Sequence, residues 1–420
     1  MKLTLIHPPQ PKSLDDRLDI PLQLAYLANF ARKNIKDLKV KIVDLSSVEE
    51  SAWKEKIGYA DLYGVTVYTA SYNKALKIRD ICNQHNSRGC VIAGGHHVTA
   101  LPEQSLKDFP VVVGGEGEQA LVNVIKANFP GYYSCGRGDI DDYDYPAWDL
   151  LDFASYHRKI GGKRCISVIT SRGCPYSCNF CSRDVMGSRV RFRSKEKVLE
   201  EIRYLVDNYT NSFIFYDDVF VMNRSRLYWL CDRFKELGIK FRCNGRVGIN
   251  TYEDFKKLKE GGCDEIDFGI ESGSQKMLDL MGKKVTTEQN KTAIREAQQA
   301  GLIVKAFLVL GFPGETKETV EETKRFIMDS APDVYSLFGF IPFPGSDTFR
   351  NPSRYGIQWL SSNWDEYYCM AGQNESGLSF YCESYTIQDF LDWKRGMTDL
   401  LVRVGYQGET QDYERKVKWR

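Results

Sequence analysis

The chain has 420 residues, 42% apolar and 27% charged, a composition that supports a large buried core over two or three domains and excludes general disorder. Its 57 Lys and Arg against 56 Asp and Glu leave a net charge of +1, so no global field draws nucleic acid or an anionic membrane, and a nucleic-acid substrate is not expected. No apolar run approaches the ~20 residues of a membrane span. The opening MKLTLIHPPQ reads as a strand rather than a signal peptide, and a cytoplasmic location with reduced thiols is expected.

Short β-rich runs at 3–6, 40–43, 62–67, 91–93 and 111–113 alternate with amphipathic helical stretches at 21–34, 47–57, 71–86, 101–107 and 118–128. Pro21 fits the first turn of a helix, and Ala75, Ile78 and Cys82 recur at helical spacing. The alternation predicts an α/β domain over 1–130, a doubly wound parallel sheet of the flavodoxin or Rossmann kind. Such sheets bind ligands beyond the carboxyl ends of their strands. Small residues gather there: Thr66, Thr69 and Ser71, then Gly94 and Gly95, then Gly114, Gly115 and Gly117 around Glu116. No GxGxxG or GxxxxGK[ST] is present, so dinucleotide and nucleoside-triphosphate readings lack support. Residues 131–160 are acidic, aromatic and turn-rich and read as a linker, with the acidic run 141–144 a solvated turn.

A second series begins at Cys165. Strands are predicted at 165–170, 212–216, 240–244, 265–270, 304–310 and 334–341, with a helix after each of the first five. Ser194 can cap the first helix, Thr286 and Gln289 form a capping box, and Gly238 and Gly301 stand where helices end. Six βα units predict a partial (β/α)6 barrel over 161–350 with its chemistry at the strand C-termini. Residues 351–420, with Trp359, Trp364, Tyr367, Tyr368, Phe380, Tyr381 and Trp393, then a helix near 387–403, read as a small C-terminal appendage.

Twelve cysteines are too sparse for a disulfide scaffold. Nine are scattered, at 82, 90, 135, 165, 231, 243, 263, 369 and 382. Cys174, Cys178 and Cys181 are tightly spaced in the loop after the first barrel strand. Three thiolates are one ligand short of a structural zinc site; Cys165 and Cys231 are poorly placed to complete it, and no His follows His157. An iron–sulfur cluster on three cysteines leaves one iron open, which suits ligation of a substrate.

The CxxxCxxC spacing, with Phe180 before the last Cys, resembles the radical S-adenosylmethionine (SAM) superfamily over roughly 165–345. Other segments are similar in the expected order: Phe215 to Asp218, Gly269 to Gly273, Leu310 to Glu315 and Ile341 to Ser346. The resemblance implies a [4Fe–4S] cluster on Cys174, Cys178 and Cys181, with SAM on the open iron. It also implies Asp217 and Asp218 near the methionine amino group and Arg246 at the carboxylate. Glu271 and Ser272 would meet the carboxylate and ribose, and Gly311 and Pro344 would lie in the segments that cradle adenine. One electron, from a flavodoxin- or ferredoxin-type donor, would cleave SAM to methionine and a 5′-deoxyadenosyl radical.

The first domain resembles the cobalamin-binding domain that precedes many such barrels, through Asp61 to Thr69, Ala93 to His97 and Val113 to Glu118. This implies cobalamin contacts from Thr66, Thr69, Ser71, Gly94, Gly95, His97, Gly115, Glu116 and Gly117. The DxHxxG loop of many such domains reads Asp44-Leu45-Ser46-Ser47-Val48-Glu49 here, without His. Cobalamin is therefore expected without a protein His ligand, its lower face left to the 69–72 loop. The combination implies methylation of an unactivated carbon of a small molecule or peptide. Rearrangement, cyclisation or oxidation, cobalamin-free radical chemistry, and a sensor module are the alternatives. Cys82, Cys90 and Cys135 fall on a helix, a strand and the linker, which argues against the second cluster of a methylthiotransferase.

Overall fold

The computed structural model describes residues 1–10, 17–87, 89–127, 129–368, 379–407 and 412–414. Cys369 lies outside them. The first sheet comprises β1 (Lys2–His7), β2 (Lys39–Asp44), β3 (Leu62–Thr66), β4 (Cys90–Gly94), β5 (Val111–Gly114) and β6 (Gly131–Ser134). All pairings are parallel, and the order β2-β1-β3-β4-β5-β6 reverses direction beside β1. The switch places β1 and β3 side by side, and the loops after them diverge to opposite faces of the sheet. β3 is buried throughout, as a central parallel strand must be.

β6 corrects the sequence reading, which assigned 131–134 to a linker. Alternate residues Tyr132 and Ser134 are exposed, as on an edge strand. Part of 140–160 is packed against the domains, with Ile140, Tyr143, Ala147, Trp148 and Tyr156 buried. Ile140 and Tyr143 join a small core with Phe30, and the Asp141 carboxylate accepts from Ser194 N at 2.9 and 3.0 Å. The predicted helix at 47–57 contracts to a turn and Trp53–Ile57; that at 101–107 becomes Pro102–Asp108, preceded by His96–Ala100.

The second sheet runs in sequence order: β7 (Ile166–Val168), β8 (Ser212–Phe215), β9 (Lys240–Gly245), β10 (Cys263–Glu271), β11 (Ile303–Leu310) and β12 (Val334–Gly339). These six are parallel and do not close, so the barrel is partial; Asp412–Glu414 adds an antiparallel strand to β12. Helices follow β7 to β11, and the predicted caps are present: Ser194 accepts from Lys197 N, and Thr286 and Gln289 bond reciprocally. Their apolar stripes pack on the outward face of the sheet with Phe213, Phe215, Phe234 and Phe241.

The domains interlock. Ile20, Leu22 and Tyr26 belong to the barrel core, while Ile341, Trp364 and Tyr367 from the barrel side belong to the core of the first domain. The C-terminal region is therefore more than an appendage. A hairpin of Ile357–Leu360 with Phe380–Cys382 and the helix Ile387–Arg403 cover the end of β11, where Tyr385 donates to Gly311 O. No helix among the described residues is long and apolar enough to cross a membrane.

Gly262 turns the chain into β10 at φ +100°, where a Cβ would stand 2.1 Å from Ile239 O. Both the left-handed backbone and the backbone clash oppose any side chain. Gly262→Ala is expected to lower unfolding stability by about 2–4 kcal/mol, read from the denaturation midpoint at unchanged slope.

Candidate functional site

A cavity of about 940 Å³ opens at the carboxyl ends of β1, β3, β4 and β5. Of the residues predicted there, Thr66, Gly94, Gly95, Gly115, Glu116 and Gly117 line it. Gly115 has φ +76°, and a Cβ would meet only Ser134 Oγ at 3.9 Å, so its missing side chain leaves open space. Apolar Leu24, Leu27 and Ile92 complete much of the wall.

Thr69, Ser71 and His97 are not among the lining residues. Ser71 closes the turn onto Tyr68, while Thr69 Oγ1 lies 3.2 Å from His97 Nδ1. His97 is buried between Tyr72 and Trp364, at 4.4 and 4.7 Å between ring centroids, and burial pulls its pKa down to about 4. The residues that do face the cavity from these loops are Tyr68 and His96, whose rings stack at 6.1 Å and 20°. The helical turn beginning at His96 sends consecutive side chains apart, which strand-end sequence does not reveal.

A second cavity, about 1030 Å³, lies at the carboxyl ends of the barrel strands. Cys174, Cys178 and Cys181 line it, together with Phe180, Asp218, Arg246 and Glu271. Among the described residues no three His, Cys, Asp or Glu side chains are placed to hold a metal ion, so the three thiols line the cavity without converging on one point. Burial and then the neighbouring thiols push Cys181 up to about 12, and burial raises Cys174 as well. A positively charged metal centre is the partner that would relieve this cost of ionisation.

Glu271 ends β10 at φ +64°, beside a register shift against β11. Lys283 Nζ donates to its Oε1 at 2.5 Å, and Arg246 donates to Lys283 O while its guanidinium lies 3.4 Å from the Tyr176 ring centroid. Lys283 and Asn244 line the cavity without any motif to announce them.

Four predicted contacts take other places. Asp217 is buried and accepts from Thr170 N at 2.6 Å, Thr170 Oγ1 at 2.5 Å and Ser171 Oγ at 2.8 Å, fixing the strand end that leads into the cysteine loop. Ser272 Oγ turns outward to Thr323 Oγ1 at 3.1 Å. Gly311 packs under Phe390 and Tyr385, and its N–H donates to Glu315. Pro344 is likewise not among the lining residues.

The two cavities adjoin, since His96 and Met186 line both. A buried ion cluster holds them together. Arg172, two residues before Cys174, meets Glu116 at 3.3 Å and Glu118 at 2.7 Å; Arg191 donates to Glu116, as does Tyr143 OH at 3.2 Å. Burial opposes the charge of Glu116, yet Arg191 and Arg172 more than offset it and hold its pKa below the usual range. Glu116 thus serves the domain joint even where it borders the first cavity.

Residues 168–327 match the model of the radical SAM superfamily, and residues 20–125 match that of the B12 binding domain. An uncharacterised methyltransferase of Pyrococcus horikoshii is 31% identical, over 87% of this chain and 86% of its own length. The anaerobic magnesium-protoporphyrin IX monomethyl ester cyclase of Rubrivivax gelatinosus is 28% identical, over 79% and 66% respectively. Among solved structures, the radical SAM methyltransferase TsrM of Kitasatospora setae, with cobalamin and a [4Fe–4S] cluster bound, superposes with a TM-score of 0.68 at 17% identity. That match covers 96% of this chain and 88% of TsrM.

Two αβ domains with strand ends converging on adjoining cavities, one bordered by three thiols, define a cobalamin-dependent radical enzyme. The chain belongs to the radical SAM superfamily, in the branch that carries a B12-binding domain. Its cofactors are a [4Fe–4S] cluster, SAM and cobalamin, and the donor set fits them: three thiols for iron, and a glycine-edged apolar cavity for a corrin.

Because Arg172 is buried with two carboxylates, removing it strands both charges. Arg172→Met is expected to cost about 3–5 kcal/mol in denaturant unfolding, and adding Glu118→Gln to recover part of that loss.

Proposed function

We propose that the protein methylates an unactivated carbon of a small molecule or peptide, in the cytoplasm, drawing electrons from a flavodoxin- or ferredoxin-type donor. One observation carries this reading: the cavity suited to a corrin and the cavity bordered by the three cysteines adjoin at His96 and Met186. A methyl source and a radical source would then address one enclosed space, where water is kept from a reactive carbon.

When bound, the cluster and SAM supply a 5′-deoxyadenosyl radical, and cobalamin supplies a transferable methyl group. Cys174, Cys178 and Cys181 would hold three irons. Asp218 and Glu271 would accept hydrogen bonds from the ammonium group of SAM, with Arg246 at its carboxylate. Lys283 donates to Glu271 Oε1 and fixes that carboxyl in position. Thr66, Gly94, Gly95, Gly115 and Gly117 would border the corrin, with Tyr68 and His96 from the same strand ends.

The test is anaerobic incubation of cluster-reconstituted protein with hydroxocobalamin, reductant and SAM labelled in its methyl group, followed by mass spectrometry. Label on cobalamin together with S-adenosylhomocysteine and 5′-deoxyadenosine is expected. Deoxyadenosine with unlabelled cobalamin would instead favour rearrangement or cyclisation, the chemistry in the name of the cyclase relative. Replacing Cys174, Cys178 and Cys181 together with Ala is expected to abolish bound iron and SAM cleavage; a full cluster in that variant would refute the ligand assignment.

A further inference from the structure

The inward column of β10 carries Glu265, Asp267, Gly269 and Glu271 on alternate residues, while Ile266, Phe268 and Ile270 pack outward. Glu271 stands at the cavity mouth with Lys283, Arg246 and Asp218. Asp267 lies about 13 Å further down the strand, four residues at ~3.3 Å each. It is 2% exposed, it lines the same cavity, and its Oδ1 has no hydrogen-bond partner. Its Oδ2 lies 3.4 Å from Arg242 Nε, a loose pairing that leaves the carboxyl unsaturated.

The surroundings set what could fill that vacancy in hydrogen bonding. In register beside Asp267 stand Asn244 on β9 and Lys305 on β11; Asn244 lines the cavity, and its Nδ2 is committed to Asp217 O at 3.0 Å. Glu265 lies below and shares Arg242, whose Nη1 is 3.3 Å from Glu265 Oε1. One layer above, Phe307 presents an apolar ring to the cavity. Arg242 and Lys305 balance Glu265 and Asp267 in charge, and the unpartnered Oδ1 remains an acceptor, otherwise costly to bury, that an entering N–H or O–H donor would satisfy.

Resting on the radical SAM reading of this cavity, we propose that Asp267 and Phe307 form the acceptor-substrate subsite, selecting a ring-bearing or otherwise apolar molecule that presents an N–H or O–H donor. Asp267 is then a specificity-determining residue, separate from the SAM-binding groups at the mouth.

The subsite is testable without the natural substrate. Benzylamine, benzyl alcohol and benzoate share one ring and differ in the group offered to Asp267. Titrated calorimetrically into cluster-reconstituted full-length protein with SAM present, benzylamine and benzyl alcohol are each expected to bind more tightly than benzoate, which offers no donor. Asp267→Asn should weaken benzylamine at least tenfold and leave the SAM dissociation constant within twofold. Benzoate binding as tightly as benzylamine, or benzylamine unaffected by Asp267→Asn, would overturn the assignment. Parallel loss of SAM would also overturn it, by making Asp267 a SAM contact. If Asp267→Asn fails to fold, the weaker binding of benzoate to the wild type and a weakening of benzylamine by Phe307→Ala carry the test. Failure of SAM to bind the wild type would count against the radical SAM reading itself, whatever the probes do.

Discussion

The geometry of the whole site depends on one buried ion cluster. Glu116 and Glu118 come from the loop after β5 and the first turn of the helix that follows it. Arg172, beyond the first barrel strand, and Arg191 pair antiparallel on the two sides of the cysteine loop. In the low dielectric between domains these charges are only tolerable together, which makes the joint specific rather than merely adhesive. Arg172 also lies 5.2 Å and 5.1 Å from the ring centroids of Tyr26 and Tyr143, so four chain segments meet at one guanidinium. Any shift of the first domain against the barrel would therefore be felt two residues away, at Cys174.

This clamp exploits a general property of parallel α/β sheets, which collect their functional loops at the carboxyl edge. The edges of two such sheets converge here, and the interlocked cores keep them there: Ile20, Leu22 and Tyr26 cross one way, Trp364 and Tyr367 the other. Both cavities gain enclosure from the partner domain. Val185 and Met186 of the cysteine loop wall the first, while His96 of the first domain reaches the second.

The alternation of elements was legible because parallel strands and amphipathic helices write their periods directly, and the spacing of Cys174, Cys178 and Cys181 carries its own chemistry. Side-chain direction at the strand ends was not legible. Asp217 and Asp218, His96 and His97, and Glu271 and Ser272 are adjacent pairs in which only one member faces a cavity, and a positive φ at Glu271 or a helical turn at His96 decides which. Gly311 shows a different limit, since the same Gly-Phe-Pro-Gly turn serves equally to admit Phe390 and Tyr385. β6 was hidden because its edge position allows Gly131 and alternating exposed residues, a pattern shared with loops. Asp267 carries no motif; only its burial with an unpaired oxygen singles it out.

The central claim is that cobalamin and the iron–sulfur cluster occupy adjoining compartments of one clamped site. The most direct measurement is electron paramagnetic resonance of protein loaded with both cob(II)alamin and the reduced cluster, against protein loaded with either alone. Adjoining sites predict mutual relaxation enhancement and broadening of both signals in the doubly loaded sample, diminished when Arg172 is replaced. Signals that simply add, with unchanged relaxation, would contradict the account.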